Sequence, residues 1–243
     1  MKNKAFTLAE VLITLAIVGV VAAITLPVVI QNYQKRLTVT RLQKAYANIK
    51  TAAGNLMINT GCVGSDLSCT GLFDISDSVE FKKRFFELSG FKIIKEENTI
   101  YRVAYLYCLK SSCNNNTGDV AYNYYLTADN IGYNPWIITT FNTKSPEQNE
   151  NAIVITVLTQ NKVSKYGDLM RGKNVFDFVI YDNFIVEPLL IGFGGSYWPM
   201  SSQGKYNWTS SGNINYCSRT NSSVSSGHNC AARIIEDGWK INY

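Results

Sequence analysis

The chain has 243 residues, of which 46 % are hydrophobic and 17 % are charged. This balance is typical of a folded globular protein and excludes a disordered chain or a multi-span membrane protein. The net charge of +5 comes from residues 1–50, which hold seven basic residues and one acid, so the rest is nearly neutral. That distribution argues against a general nucleic-acid-binding surface.

The first predicted element is an apolar segment long enough to cross a membrane. A short basic stretch, residues 1–5, precedes it, and sixteen of the twenty residues 11–30 are Ala, Val, Ile or Leu. As a helix, twenty residues span about 30 Å, which is the thickness of a hydrocarbon core. The segment therefore predicts a transmembrane helix.

A secretory signal peptide is the main alternative for this segment, because residues 21–23 fit a small-residue cleavage site. Glu10 argues against it, since a carboxylate within an apolar segment costs about 2.5–3.5 kcal/mol and needs a partner. The apolar run also continues past Ala23 to Ile30. A fitting partner for Glu10 is a free α-amino group of a neighbouring subunit, created by cleavage just before Phe6.

Residues 4–15 read Lys-Ala-Phe-Thr-Leu-Ala-Glu-Val-Leu-Ile-Thr-Leu. They closely resemble the prepilin-type cleavage and methylation motif of type IV pilins and type II secretion pseudopilins. The resemblance implies cleavage between Ala5 and Phe6, methylation of the new amine on Phe6, and docking of Glu10 in a growing filament. It also implies a bend in the helix at Pro27. Ala5 departs from the family, which prefers glycine before the cut.

The resemblance also implies partners and a location. The expected partners are a prepilin peptidase/methyltransferase, other pilin-like subunits, the inner-membrane assembly platform and membrane lipid, with no cofactor and no nucleic acid. The N terminus is expected in the cytoplasm and the head outside it. Charge counting predicts the reverse, because two lysines precede the span and basic residues at positions 35, 36, 41 and 44 follow it. Long domains can be translocated despite their charge, so the orientation of the family is preferred.

Residues 31–58 predict a continuation of the same helix outside the membrane. They contain no proline, and no glycine before Gly54. Apolar residues spaced by three and four positions define one helix face, formed by Leu42, Tyr46, Ile49, Ala53 and Leu56. The pattern predicts a helix that ends near Gly61 and packs its outer half on a head domain.

The remaining residues predict a mainly β head. A helix is predicted over residues 79–88 and a short last helix over 230–237, with polar loops over 142–151 and 196–226. Asp182 and Asn183 indicate a tight hairpin between the last two of six strand-like runs. These runs cover residues 99–109, 120–127, 136–141, 152–159, 175–181 and 184–191.

The predicted class is therefore α+β and pilin-like, with a long N-terminal helix, half transmembrane and half packed, on a head with an antiparallel β-sheet. The predicted boundaries are a leader over residues 1–5, a transmembrane segment over 6–30, an extracytoplasmic continuation of the helix over 31–60 and a globular head over 62–243.

Six cysteines fall into three sequence-local pairs, which are Cys62/Cys69, Cys108/Cys113 and Cys217/Cys230. Local pairing predicts three short disulfides, each worth about 2–3 kcal/mol, out of fifteen possible connectivities. Disulfides need an oxidising compartment, which agrees with a head outside the cytoplasm. Free buried thiols are the alternative. A zinc site is not expected, because the chain has one histidine and no C-x-x-C motif.

No catalytic residue is predicted. The single histidine, His228, lies beside a cysteine pair, and residues 192–196 fit neither a nucleophile elbow nor a phosphate loop. A ligand-binding role is indicated only by aromatic residues in a loop rich in Ser, Gly and Asn, namely Tyr197, Trp198, Tyr206 and Trp208. Such residues suit stacking on a sugar or a partner, but more often they hold the loop to its own domain.

Two functions follow from these observations. The first is a non-enzymatic pilin-like subunit, a pseudopilin or minor pilin, which assembles into a filament of the type II secretion or type IV pilus kind after leader cleavage. The alternative is a membrane-anchored or secreted extracytoplasmic binding domain that uses its aromatic loop.

Overall fold

A computed structural model of the chain describes residues 7–64, 66–104, 118–128, 136–144, 151–159, 169–181, 183–191, 197–198, 217, 227 and 229–243. Three α-helices are present in this part of the chain: α1 (Leu8–Thr60), α2 (Ser78–Ser89) and α3 (Cys230–Glu236). Two short 3-10 helices, Leu67–Thr70 and Leu72–Asp74, lie between α1 and α2.

The strands form one large sheet and one small ribbon. The large sheet contains β1 (Lys92–Ala104), β2 (Gly118–Ala128), β3 (Trp136–Lys144), β4 (Asn151–Leu158), β5 (Leu169–Met170), β6 (Val175–Ile180) and β7 (Val186–Pro188). Their order is β5-β1-β2-β3-β4-β6-β7. All neighbouring strands are antiparallel except β1 and β5, which are parallel. The ribbon pairs β8 (Leu190–Ile191) with β9 (Tyr197–Trp198).

This arrangement confirms the predicted α+β class, with local differences. The predicted run 184–191 is divided between β7 in the sheet and β8 in the ribbon. The predicted loop over 142–151 is shorter, because residues 142–144 extend β3 and Asn151 opens β4. In the β6–β7 hairpin Phe184 takes the positive φ of 60°, and Asn183 Oδ1 accepts a hydrogen bond from Ile185 N at 3.1 Å.

The chain divides into two compact units, residues 1–37 and residues 38–243, and α1 contributes to both. In the first unit the side chains of residues 8–34 are exposed, except for half-buried Ala22. By length and composition α1 is able to cross a membrane. An apolar helix that buries none of its sides in its own fold needs lipid or other helices around it.

In the second unit the core lies between α1, α2 and one face of the sheet. Leu42, Ile49 and Leu56 of α1 are fully buried, which confirms the predicted helix face. Alternate residues of β4 and β6 point to the same core, as a strand with one core-facing side requires. From these strands it receives Ile153, Ile155, Val157, Phe176, Phe178 and Ile180, and from α2 it receives Phe81, Phe85 and Phe86.

Tyr46 connects α1 to the sheet by two different contacts. Its ring stacks on Phe178 of β6 with the centroids 5.3 Å apart. Its hydroxyl donates a hydrogen bond to the carbonyl oxygen of Val186 in β7 at 3.1 Å. Arg41 of α1 also reaches the sheet, since its Nη1 donates to Thr159 O, just after β4, at 2.6 Å. The helix is therefore fixed to the sheet by polar as well as apolar groups.

The C-terminal end of α1 has the hydrogen bonds of a Schellman motif. Gly61 adopts a left-handed conformation with φ 73°. Its N–H donates to Ile58 O at 3.2 Å, and Cys62 N–H donates to Met57 O at 3.0 Å. This is the helix stop predicted at Gly61.

Both ends of α2 are capped by side chains. At the start, Asp77 Oδ1 accepts a hydrogen bond from Glu80 N at 2.8 Å. At the end, α1 supplies the caps: Asn59 Nδ2 donates to Leu88 O at 2.7 Å, and Asn55 Nδ2 donates to Ser89 O at 3.1 Å. The last carbonyls of a helix have no partner within it, so these asparagines satisfy groups that α2 cannot satisfy alone.

The hydrogen bond from Asn59 to the carbonyl oxygen of the buried Leu88 gives a stability prediction. We expect Asn59→Ala to lower the free energy of unfolding by about 0.5–1.5 kcal/mol, because Leu88 O loses its donor. The measurement is urea unfolding of the full chain in detergent, followed by circular dichroism. Gln43→Ala, on an exposed position of α1, is the matched control and should change stability by less than about 0.5 kcal/mol. Equal midpoints for the two variants would contradict the capping role.

Lys82 of α2 is buried, with only 8 % of its surface accessible to solvent. Burial lowers the pKa of its ammonium group, and the carboxylate of Asp77 opposes part of that change. A lysine with a lowered pKa in the folded state destabilises the fold while it is charged, so this cost diminishes as the pH rises from the folded pKa towards the unfolded one. The favourable contribution of Lys82 to stability therefore comes from the packing of its alkyl chain and not from its charge.

The second face of the sheet carries a buried charged cluster. Asp177 of β6 lies opposite Thr156 of β4, and Thr156 Oγ1 donates to Asp177 Oδ1 at 2.6 Å. Arg171, in the turn before β6, donates from Nη1 to Asp177 Oδ2 and forms an ion pair with it. All three residues are buried. The cluster fixes the turn between β5 and β6 to the sheet.

The C-terminal region packs against this turn. Tyr243 Oη donates to Gly172 O at 2.6 Å. Gly227, with φ 101°, approaches so closely that a Cβ there would collide with the carbonyl group of Arg171. Any side chain at position 227 would therefore displace either the turn or the C-terminal region.

Candidate functional site

The N-terminal turn of α1 is built by a reciprocal pair of side chains. Thr7, the residue before the helix, accepts a hydrogen bond from Glu10 N at Oγ1, at 3.3 Å. In return, Glu10 Oε2 accepts hydrogen bonds from Thr7 N at 2.9 Å and from Thr7 Oγ1 at 2.8 Å. This is the capping box of a T-x-x-E sequence. It satisfies two of the N–H groups that a helix start leaves without a partner.

The arrangement leaves part of the Glu10 carboxylate open. Within the described residues all its hydrogen bonds go to Oε2, and the side chain is exposed. A carboxylate has two oxygens and room for several donors, so Oε1 is available to a group from another molecule. The position also suits an anion, because the N-terminal end of a helix carries partial positive charge.

The other polar groups of the apolar segment are satisfied within α1. Thr14 Oγ1 donates to Val11 O at 2.9 Å, and Thr25 Oγ1 donates to Val21 O at 2.9 Å. Such bonds let hydroxyl groups lie in an apolar environment without a separate partner. Pro27 lies inside α1 and has no N–H for the carbonyl four residues earlier. The bend expected at Pro27 stays a prediction.

Two disulfides are present in the described part of the chain, and the cysteines described there are all paired. Cys62 and Cys69, with Cα atoms 5.9 Å apart, close the segment that follows α1. Cys217 and Cys230, with Cα atoms 4.9 Å apart, fix the start of α3. Arg233 Nη1 of α3 also donates to Cys217 O at 2.5 Å.

Several predicted site residues lie outside the described residues, namely Ala5, Phe6, Cys108, Cys113, Tyr206 and Trp208. Tyr197 and Trp198 form β9 and pair through the backbone with β8. The structure therefore leaves the aromatic loop as a prediction. Among the residues that are described, no three potential metal ligands lie together.

Sequence reasoning identified Glu10 but did not identify Thr7 as its partner. The signal was present, because a threonine three residues before a glutamate at the start of an apolar run is the pattern of a capping box. Glu10 was interpreted only through the charge it carries. The structure adds that it also stabilises the start of α1.

Comparison with known proteins agrees with this geometry. The family model described as the prokaryotic N-terminal methylation motif matches residues 1–26. The chain is similar to the fimbrial protein EcpB of Eikenella corrodens, with 34 % identity over 80 residues, which are 33 % of this chain and 50 % of the relative. The chain thus spans about half the length of the curated relative it matches. No solved structure matches the chain significantly. The chain therefore carries a prepilin-type N-terminal methylation motif over residues 1–26.

Proposed function

We propose that the chain is a pilin-like subunit, a pseudopilin or minor pilin, that assembles into a filament after its leader is removed. The observation that carries the proposal is the methylation motif over residues 1–26, at the start of an apolar helix whose side chains over residues 8–34 are exposed, except for half-buried Ala22. A helix of this kind is stable in lipid or among other helices. The relative named as a fimbrial protein supports the same function.

Processing creates the group that Glu10 is proposed to bind. Cleavage between Ala5 and Phe6 by a prepilin peptidase would leave a cationic amine on Phe6, which the same enzyme methylates. Glu10 Oε2 is already held by Thr7, so the open Oε1 is the acceptor for the amine of a neighbouring subunit. In an apolar environment, opposite charges attract far more strongly than in water, and pairing removes the cost of two isolated ions.

The apolar part of α1 then provides lateral contacts. Its large apolar side chains are exposed, and Leu8, Leu12 and Ile24 are each more than half exposed. In the membrane these side chains face lipid, and in a filament they would face the helices of other subunits. The two environments are similarly apolar, so the fit between neighbouring helices and the Glu10 ion pair would determine how the subunits are arranged. The proposal assigns the head no catalytic role.

The proposal includes a location and partners. The leader would lie in the cytoplasm, and the head would lie outside it, where its disulfides are stable. The partners would be the prepilin peptidase/methyltransferase, other pilin-like subunits and the inner-membrane assembly platform.

The test of processing is the intact mass of the membrane-extracted chain, together with N-terminal peptide sequencing. We expect a mature chain that starts at methylated Phe6. Ala5→Gly is a matched control, because residue 5 is removed and the mature mass is therefore identical. A chain that starts near Ile24 would indicate an ordinary secreted domain, and a chain that keeps Met1 would indicate a permanent membrane anchor. Either result would contradict the proposal.

A further inference from the structure

We propose that Tyr33, Lys35 and Arg36 bind the headgroup phosphates of anionic phospholipids in the leaflet opposite Glu10. We call these three residues the headgroup site. The inference rests on the proposed membrane insertion of α1, and it concerns the subunit before assembly.

The spacing along α1 places these residues at headgroup depth. An α-helix rises about 1.5 Å per residue, so the twenty residues from Val11 to Ile30 cover about 30 Å, which is one hydrocarbon core. Tyr33 and Lys35 then lie about 4.5 and 7.5 Å beyond that core along the helix axis, and Arg36 lies about 9 Å beyond it. The polar region of each leaflet is about 5–8 Å deep, so Tyr33 and Lys35 lie within it and Arg36 lies at its outer edge.

The side chains have the chemistry of an interfacial anchor. Tyr33 is 65 % exposed, and tyrosine places its ring and its hydroxyl at the level of the headgroups. Arg36 is exposed and Lys35 is half-buried. A guanidinium group binds phosphate through two parallel hydrogen bonds, and an ammonium group binds it as a point charge. Both cations also interact within the chain, so binding to a headgroup would add to these interactions or replace them.

The charge pattern favours an anionic lipid over a neutral one. No Asp or Glu occurs between Glu10 and Asp66, whereas this stretch holds five Lys and Arg residues. The region just outside the membrane is therefore uniformly positive. In the orientation proposed above, this positive charge lies outside the cytoplasm, although basic residues beside a transmembrane helix are preferred on the cytoplasmic side. Anionic headgroups would neutralise this charge.

The expected strength follows from the attraction of basic residues to anionic membranes. Each basic residue at the membrane surface strengthens the association with anionic lipid about fivefold. The loss of both cations should therefore remove most of the preference for an anionic lipid. Because the attraction is electrostatic, it should weaken as the salt concentration rises.

The experiment reconstitutes the full chain into vesicles of phosphatidylcholine with phosphatidylglycerol. Spin-labelled phosphatidylglycerol or phosphatidylcholine reports, by electron paramagnetic resonance, how much of each lipid is immobilised by the protein. We expect about a fivefold or greater preference for phosphatidylglycerol at low salt, which falls at 0.5 M NaCl. Lys35→Gln with Arg36→Gln should remove most of that preference.

The chain offers a matched control, because α2 carries the same adjacent pair at the exposed Lys83 and Arg84. Lys83→Gln with Arg84→Gln makes the same change in charge away from α1 and should keep the preference. An unchanged preference after the substitutions at 35 and 36, or equal losses in the two double variants, would overturn the inference.

Flotation of the vesicles separates this inference from the proposed function. A chain that floats with the vesicles but shows no lipid preference overturns the headgroup site alone. A chain that does not insert overturns both the headgroup site and the proposed subunit, since both need α1 in the membrane.

Discussion

Glu10→Gln is expected to yield a chain that is inserted and cleaved normally but is absent from filaments. Glutamine keeps an oxygen that can accept the hydrogen bonds of Thr7, so the capping box is preserved. It removes the negative charge, so the amine of the neighbouring Phe6 loses its partner. Removal of one member of a buried ion pair costs about 3–5 kcal/mol, which corresponds to a loss of more than a hundredfold in incorporation.

The measurement is the ratio of sheared filament protein to membrane protein, by immunoblot, in cells that express each variant. Thr7→Val is the matched control, because it removes Oγ1 from the capping box and leaves the carboxylate of Glu10. We expect it to weaken the start of α1 by about 1 kcal/mol and still to assemble. If Thr7→Val were excluded as strongly as Glu10→Gln, the cap and not the charge would explain the loss.

Asp177→Ala is expected to lower the free energy of unfolding of the head by about 3–5 kcal/mol. Asp177 is almost inaccessible to solvent, at 2 % of its surface, and it joins Arg171 to Thr156. Alanine would leave the buried guanidinium group of Arg171 without its carboxylate, and this cost exceeds that of the lost hydrogen bonds. Guanidinium chloride unfolding of the full chain in detergent measures the change.

A combined variant separates the charge from the packing. Replacement of all three residues, with Arg171→Met, Thr156→Val and Asp177→Leu, removes both charges of this cluster. Apolar replacement of a buried ion pair is often neutral or stabilising, so this variant should be much more stable than Asp177→Ala. A cost below about 1 kcal/mol for Asp177→Ala would show that the ion pair does not hold the turn in place.

The buried face of α1 was predictable from the sequence, because helical periodicity depends only on residues close together in the chain. Leu42, Ile49 and Leu56 are spaced by seven residues, and each is fully buried. The two-residue strand β5 carries no such periodic signal, and its pairing depends on β1, which lies far away in the chain. Asp177 illustrates the same limit. A single acid in an apolar run looks like a solvated charge until the register of β4 and β6 places Thr156 beside it.

The candidate site shows a similar division. The position of Glu10 in the motif was visible in the sequence, since its chemistry depends on residues within one turn. Its two oxygens were not distinguished, because only the geometry shows that Thr7 occupies Oε2. The caps of α2 were also hidden, because Asn55 and Asn59 read as ordinary polar positions on α1 until the fold places the end of α2 against them.

The Cys217–Cys230 disulfide has a consequence for how such a subunit can diversify. The bridge holds the Cα atoms of Cys217 and Cys230 4.9 Å apart. The position of these two residues therefore does not depend on the length of the chain between them. Doubling the length of a flexible loop costs only about 0.6 kcal/mol. Among the described residues of this loop, Gly227 must be kept because of its close contact with Arg171. The chain between the two cysteines is thus a place where a change of length is expected to cost the fold little, as long as the disulfide and Gly227 are kept.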